Sequence, residues 1–214
     1  MPNPRPLTRD FYERDPRTVA RELLGKILLR RIDSRRIIAG RIVEAEAYLG
    51  KSDPAAHAYS GITARNAVLF GPAGHAYVYF TYGMHHCMNI SCQPPGRAGC
   101  VLIRALEPIA GIEEMAVARN VPQESVAELP PAKMRLLTSG PGRLCQALQI
   151  NRSADNGKDL SSSQSDLQVV EGLRTGSAQK NFRIVTATRV GISKAADRRL
   201  RYLIAGNPFV SVKP

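Results

Sequence analysis

The feature that most constrains the fold of this chain is a run of aromatic and β-branched residues from His75 to Cys92, interrupted in its middle by Tyr82-Gly83. Such residues favour extended strands, and the Tyr-Gly pair is a candidate for a tight turn. A third strand is predicted from Gly99 to Leu106. Strands joined by short turns pair antiparallel, so this region predicts an antiparallel sheet with a protruding β-hairpin.

The rest of the chain adds strands and helices around that sheet. The residue patterns predict strands at 26–32, 37–49 (with a break at Gly40), 182–190 and 202–204, and helices at 17–24, 111–119, 143–150 and 194–200. Strands dominate and follow one another through tight turns. This arrangement indicates an α+β fold, with a curved, largely antiparallel sheet flanked by helices.

The length of 214 residues is close to that of one domain, and we interpret residues 1–214 as a single domain. The polar, serine- and glycine-rich stretch 151–180 is interpreted as a surface excursion of that domain. The proline-rich residues 1–10 and parts of 151–180 are expected to be loosely ordered.

The charge balance is strongly basic, with 30 Lys and Arg against 18 Asp and Glu, and a net charge of +12. This excess favours a polyanionic partner, most simply nucleic acid, over the alternatives of a solubility device or a membrane-surface patch. No apolar run approaches the roughly 20 residues that span a bilayer. The N-terminal residues lack the apolar core of a secretory signal, so we expect a cytosolic or nuclear protein that does not engage a membrane.

The cysteines and histidines show none of the spacings typical of metal sites. A metal site is therefore possible but is not indicated by the sequence. The residues concerned are Cys87, Cys92, Cys100, Cys145, His57, His75, His85 and His86.

Two acidic residues, Glu44 and Glu46, lie within the strand predicted at 37–49. Alternate side chains of a strand share a face, so Glu44, Glu46 and Tyr48 are expected on one face, with the two carboxylates roughly 6.6–7 Å apart. That separation is near the range of an inverting glycosidase pair. The alternative is that both carboxylates pair with nearby arginines on a solvated face.

Several aromatic residues form a second candidate constellation. Tyr77 and Tyr79 share a strand face and are expected either to form an aromatic wall or to pack in the core. Tyr82 at the hairpin tip would be exposed, where an aromatic side chain can wedge between stacked bases. His57 follows a turn-prone segment and, by itself, is an ordinary loop histidine.

Basic residues provide a third set of candidates. Arg104 is a charged residue within an otherwise apolar strand, and such a charge requires a partner, most simply a carboxylate. Arg198 and Arg199 belong to the basic segment 194–200, which is expected to be a solvated face that can contact phosphates.

Most of these candidate residues, but not Arg198 and Arg199, fall within motifs that run in order through nearly the whole chain and resemble the 3-methyladenine DNA glycosylase family of the alkyladenine (AAG/MPG) type. The motifs are Arg41-Ile-Val-Glu-Ala-Glu-Ala-Tyr-Leu-Gly50, Ala55-Ala-His57, Tyr77-Val-Tyr-Phe-Thr-Tyr-Gly-Met84, Cys87-Met-Asn-Ile-Ser91, Val101-Leu-Ile-Arg-Ala-Leu-Glu-Pro108, Ser139-Gly-Pro141, Leu144-Cys-Gln-Ala-Leu148, Arg189-Val-Gly-Ile192 and Gly206-Asn-Pro-Phe-Val-Ser211.

The resemblance implies a monofunctional DNA glycosylase without a cofactor. Such an enzyme flips an alkylated or deaminated purine, such as 3-methyladenine, 7-methylguanine or hypoxanthine, out of duplex DNA and hydrolyses its N-glycosidic bond. Glu46 matches the general base that activates water, and Arg104 and the Val190 carbonyl match groups that hold that water. Tyr48, His57 and Tyr79 match the pocket for the flipped base.

The resemblance also implies how the enzyme holds damaged duplex DNA. Tyr82 matches the wedge that fills the vacated space, and Asn89 matches the residue that excludes the 2-amino group of guanine. Tyr77, Met84 and His85 are further DNA-contact candidates, although relatives often carry tyrosine in place of His85.

A monomer is expected, in the cytoplasm with the nucleoid of a bacterium or in the nucleus of a eukaryote. The alternatives are a non-catalytic DNA-binding module and, more weakly, a sugar-polymer hydrolase.

Overall fold

The computed structural model describes residues 5–81, 83–121, 131–172 and 182–213. They form one α+β domain in which a curled antiparallel sheet makes a half-barrel, as the sequence predicts. Within this part of the chain, no helix is long and apolar enough to cross a membrane.

All strand pairs of the sheet are antiparallel, in the order β3-β4-β5-β2-β1-β6, with β8 also paired to β2 and β7 to β8. The strands are β1 (Ile27–Arg31), β2 (Ile37–Tyr48), β3 (Ala76–Thr81), β4 (His85–Cys92), β5 (Gly99–Ala110), β6 (Leu167–Val170), β7 (Ile184–Ala187) and β8 (Arg201–Ile204).

In the part of the chain that the structure describes, two helices precede the first strand, and four lie between β5 and β6. They are α1 (Arg9–Tyr12), α2 (Pro16–Leu23), α3 (Ile112–Ala118), α4 (Pro131–Thr138), α5 (Pro141–Ala147) and α6 (Arg152–Asp155), with short 3₁₀ turns at Gly50–Ser52 and Ala67–Phe70. The start of α2 is fixed by Asp15, whose carboxylate accepts the backbone N–H of Arg17, and by Pro16 at the first helical position.

The long strand β2 organises the sheet because it pairs with three other strands. Its first half pairs with β1, its second half with β8, and its opposite edge with β5 along most of its length. The predicted irregularity at Gly40 is confirmed as a register shift within a continuous strand. A Cβ at Gly40 would lie 2.8 Å from the Cβ of Leu106, so glycine allows β5 to approach closely there.

The main hydrophobic core lies between the sheet and α2, α3 and α5. The buried side of α2 carries Val19, Ala20 and Leu23, at the helical spacing expected from the sequence. Ile103 of β5 and Leu144 of α5 are completely buried in the same core. Burial of each such side chain contributes roughly 1.5–3 kcal/mol, so this core supports the strands from which the site residues project.

The prediction of a helix at 194–200 is wrong. This segment consists of bends and turns, and its arginines bond to backbone carbonyls of other segments. Arg198 donates to the carbonyl of Ser52 and Arg199 to that of Thr186. These two arginines therefore do not form one face of a helix.

The interpretation of the polar stretch 151–180 as a surface excursion is wrong for residues 167–170, although most of 151–166 is exposed or partly exposed. Leu167–Val170 are buried and form β6, which pairs with β1. Arg30 of β1 also forms an ion pair with the fully buried Asp155 of α6, with 2.8 Å between Nη2 and Oδ1. The stretch thus completes one side of the sheet. Helix α4 is not among the helices that the sequence predicts.

Candidate active site

A cavity of about 350 Å³ opens beside the second half of β2, between the β3–β4 hairpin and the loop that follows β7. Polar and aromatic groups dominate its wall, which gives it the form of a binding site with converging hydrogen-bonding groups. It is lined by Tyr48, Ala55, His57, Arg65, Tyr77, Tyr79, Thr81, Cys87, Asn89, Cys100, Leu102, Arg104, Pro141, Val190, Gly191 and Ile192.

The Glu46 carboxylate does not line this cavity but lies directly behind its wall, in contact with residues that do. The residue is 0% exposed, and each of its three polar partners lines the cavity. Its Oε1 accepts the backbone N–H of Val190 at 2.8 Å and forms an ion pair with Arg104 Nη1 at 3.2 Å. Its Oε2 accepts the hydroxyl of Tyr48 at 2.9 Å. A carboxylate buried among polar groups at a cavity is a candidate general base.

The environment of Glu46 tunes its basicity. Burial raises the pKa of Glu46, and the Arg104 charge and the hydrogen bonds from Val190 and Tyr48 oppose this rise only in part. A raised pKa makes the carboxylate a stronger base. An ionised carboxylate has about four acceptor positions. Three of them face the partners named above.

Glu44 lies on the same side of β2, as predicted, but is not part of the cavity wall. Arg104 Nε donates to Glu44 Oε1 at 3.1 Å, and Arg201 Nη1 donates to the same oxygen at 2.9 Å. The expected carboxylate partner of Arg104 is therefore confirmed and is in fact a pair, Glu44 and Glu46. The alternative that both acids pair with arginine is correct, but the face is completely buried and not solvated.

An aromatic wall forms the opposite side of the cavity. Tyr77 and Tyr79 stack with 5.5 Å between ring centroids, and the His57 ring meets Tyr79 edge-on at 4.6 Å. The Tyr77 hydroxyl lies 3.0 Å from Nδ1 of His57. Burial, together with the nearby Arg65 charge, lowers the pKa of His57, so this histidine is neutral at pH 7. The wall offers ring faces and a neutral imidazole to a planar ligand.

A buried ion pair fixes the loop that carries Val190. Arg189 is bidentate to Asp53, at 2.5 and 2.8 Å, and both side chains are inaccessible to solvent. Arg189 also donates to the carbonyl of Ala47 and lies over the ring of Tyr48, 4.6 Å from its centroid. The pair thereby ties the loop after β7 to the end of β2 and holds the Val190 N–H against Glu46.

Asn89 lies on β4, with its side chain at the cavity and almost completely buried. Its Oδ1 accepts a weak hydrogen bond from the thiol of Cys100, 3.7 Å away. Asn89 pairs with Leu102 across β4 and β5. The rigid sheet therefore fixes a polar amide in the wall.

The residues predicted from sequence fall into two groups. The structure brings together Glu46, Tyr48, His57, Tyr77, Tyr79, Asn89, Arg104 and Val190 around or directly behind the cavity wall. Met84, 71% exposed, and His85 lie outside this cavity on the hairpin, and Arg198 and Arg199 lie on the surface. Tyr82 lies outside the described residues.

Three residues of the site were not singled out from the sequence. Arg65 lines the cavity with its guanidinium 5.7 Å from the Tyr79 ring centroid. Asp53 and Arg189 form the buried pair behind the loop. An Asp-Pro turn and an arginine beside Val190 are visible in the sequence, but 136 residues separate them along the chain, and no local pattern connects them. Among the described residues, no cluster of three or more His, Cys, Asp or Glu could hold a metal ion.

Comparison with known proteins gives a consistent result over nearly the whole chain. The model of the family described as methylpurine-DNA glycosylase (MPG) matches residues 10–208. A relative from Koribacter versatilis is 57% identical over 208 residues, which cover 97% of this chain and 94% of the relative. A relative from Methanoculleus marisnigri is 47% identical, covering 94% of this chain and 96% of the relative. Both carry the name "Putative 3-methyladenine DNA glycosylase".

Proposed function

The chain belongs to the methylpurine-DNA glycosylase family and is a DNA-repair hydrolase, and from this premise we propose that it excises alkylated or deaminated purines from duplex DNA with a water activated by Glu46. The substrate bases proposed are 3-methyladenine, 7-methylguanine and hypoxanthine. The enzyme acts as a monomer on DNA, in the nucleoid of a bacterium or the nucleus of a eukaryote. The observation that carries the proposal is the Glu46 carboxylate, held by three cavity-lining groups.

The hydrolysis needs one water molecule and no cofactor. As the bond from C1′ to the purine nitrogen breaks, the sugar gains positive charge, which a nearby carboxylate stabilises. Glu46 accepts one proton of the water while the water oxygen bonds to C1′. The purine leaves with the electron pair of the broken bond. Arg104 and the carbonyl of Val190 are proposed to hold the water. The products are a free base and an abasic sugar.

The cavity wall supports recognition of a flipped purine. The ring faces of Tyr48 and Tyr79 and the imidazole of His57 border a space of about 350 Å³. An alkylated purine is often cationic, and attraction to tyrosine faces contributes about 0.5–2 kcal/mol. Flipping costs a few kcal/mol and less for a damaged base, which adds to selectivity. Asn89 is proposed to reject the 2-amino group of guanine.

The direct test is a base-release assay on duplex oligonucleotides that each carry one defined lesion. Incubation followed by heating in alkali breaks the strand wherever a base has been removed. We expect strand breaks at hypoxanthine or methylated purines and none at undamaged bases. Strands that stay intact, together with tight binding to the lesion duplex, would identify a non-catalytic DNA-binding module instead.

Replacing Tyr82 with Ser tests the proposed wedge. A side chain that fills the vacated stack is needed only where a stack exists. We therefore expect the variant to bind lesion duplex more weakly and to release its base more slowly, with a smaller effect on single-stranded substrate. The measurement is the ratio of excision rates on the two substrates, compared with wild type. Equal losses on both would remove the wedge role.

A further inference from the structure

We infer that Glu44 is a positioning residue for base excision, which holds the Arg104 guanidinium in a fixed orientation and limits how much of its charge acts on Glu46. This inference rests on the proposed function of Glu46 as the base. The Glu44 carboxylate bonds to Arg104, which lines the cavity, and to Arg201 and Ser211, which do not, so it acts through Arg104 and not on the substrate.

The Arg104 guanidinium is fixed because each of its three nitrogens has its own partner. Nε donates to Glu44 at 3.1 Å, Nη1 pairs with Glu46 at 3.2 Å, and Nη2 donates to the Ser211 hydroxyl at 3.4 Å. The guanidinium is planar and rigid, so the bond at Nε determines where Nη1 lies. Without Glu44, Nε would lose its partner, and only Glu46 and the Ser211 hydroxyl would restrain the end of the side chain.

Glu44 itself is anchored from three directions and is 0% exposed. Its Oε1 accepts from Arg104 and from Arg201 of β8, and its Oε2 accepts the backbone N–H of Ser211 at 2.6 Å. Arg201 donates in turn to the carbonyls of Thr188 and Val212. The carboxylate thus joins β2, β5, β8 and the C-terminal segment behind the cavity. These bonds fix Glu44 in place, so that it can hold the Arg104 side chain in one orientation.

Glu44 also balances the charge around Glu46. The groups that face the Glu46 carboxylate are Arg104 from β5, Glu44 and the neutral Tyr48 from β2, the Val190 N–H, and the neutral Cys87 thiol from β4. Arg189 acts from behind Tyr48 and is paired with Asp53.

The two acids Glu44 and Glu46 therefore match the two arginines Arg104 and Arg201 in charge. If the Glu44 charge were removed, the Glu46 carboxylate would be the one negative charge left among these four groups to balance Arg104 and Arg201. The pKa of Glu46 would then fall, and with it its strength as a base.

The test compares Glu44→Gln with Glu44→Asp in single-turnover excision of 7-methylguanine over a range of pH. Glu44→Gln removes the charge, so we expect the acidic limb of the profile to move to lower pH and the plateau rate to fall by up to about 10²-fold. Glu44→Asp keeps the charge but shortens the reach to Arg104. We expect a lower plateau with the acidic limb near its wild-type position.

The control is Glu107→Gln, because Glu107 lies on β5, pairs with Arg41 and Asn207, and has no contact with Arg104. We expect a wild-type profile for this variant. A Glu44→Gln pH profile equal to that of wild type would overturn the inference. A lower plateau rate with the acidic limb at its wild-type pH would also overturn it, because a purely structural role predicts that result. If Glu44→Gln does not fold, a wild-type plateau in Glu44→Asp overturns it.

The same experiment separates this inference from the proposed function. If wild type releases no base, or if Glu46→Gln releases it as fast as wild type, the proposed function fails. If both of those controls behave as expected and only the Glu44 profiles coincide with wild type, the role of Glu46 stands and the role of Glu44 fails.

Discussion

Substitution of Glu46 by Gln is expected to lower the single-turnover rate of base release about 10²- to 10⁴-fold, the usual contribution of a general base. Binding of lesion duplex should stay near wild type. The amide cannot take a proton from water, but it can keep the local bonds. Its oxygen can accept from Val190 and Arg104, and the Tyr48 hydroxyl can rotate to accept from the amide nitrogen.

The matched control for Glu46→Gln is Glu22→Gln, which neutralises an exposed carboxylate paired with Arg14 on the surface. Surface ion pairs contribute little to stability, so this variant should excise like wild type. Thermal unfolding of both variants checks that the fold persists. Undiminished base release by folded Glu46→Gln would remove Glu46 from the mechanism.

Substitution of Arg189 by Leu is expected to lower the free energy of unfolding by about 3–5 kcal/mol near pH 7, because it leaves Asp53 buried and unpaired. Burial alone raises the pKa of Asp53, but hydrogen bonds from Arg189 and from the backbone of Leu49 and Ala55 outweigh burial and hold this pKa below its ordinary value. Base release should also fall, since Arg189 holds the loop that carries Val190.

The pH dependence of Arg189→Leu follows from the sign of the Asp53 shift. A depressed folded-state pKa contributes stability above the unfolded pKa, and this contribution is lost as pH falls through the folded value. In the variant, burial without a cation favours protonated Asp53, so acid relieves its destabilisation. The difference in stability between wild type and variant should therefore narrow as pH falls.

Urea unfolding at neutral and mildly acidic pH measures this difference. The double variant with Asp53→Asn should be less destabilised at pH 7 than Arg189→Leu alone, because no buried charge is left unpaired. If Arg189→Leu were as stable as wild type at neutral pH, that result would contradict the stabilising role of the Arg189–Asp53 ion pair.

The strand that carries Glu46, the proposed general base, could be predicted from sequence because its pattern is local. Alternation along 37–49 indicates that Glu44, Glu46 and Tyr48 share a face, and the structure joins Glu46 to Tyr48 and to the arginine that Glu44 binds. A charge within the apolar strand around Arg104 required a partner, which these acids supply. Each of these two conclusions needs only the residue pattern of a single strand.

The parts that the sequence did not reveal depend on segments that meet only in three dimensions. Arg189 and Asp53 form their pair across most of the chain. β6 was missed because its surroundings are polar, although Leu167–Val170 fill the open edge of β1. The segment 194–200 suggested a basic helix, but Arg198 donates to a carbonyl of the Gly50–Ser52 turn and Arg199 to one of β7. The composition of a segment does not predict which other segment of the chain will form hydrogen bonds or ion pairs with it.

The central claim, that Glu46 is the base, is tested most directly by the pH dependence of single-turnover excision of 7-methylguanine, whose cationic base leaves without added acid. Burial raises the pKa of Glu46, and the rate follows its deprotonated fraction. The account predicts that the wild-type rate falls on the acidic side with an apparent pKa above that of an ordinary glutamate, and that this limb is absent in Glu46→Gln. A profile with the same acidic limb in both proteins would contradict it.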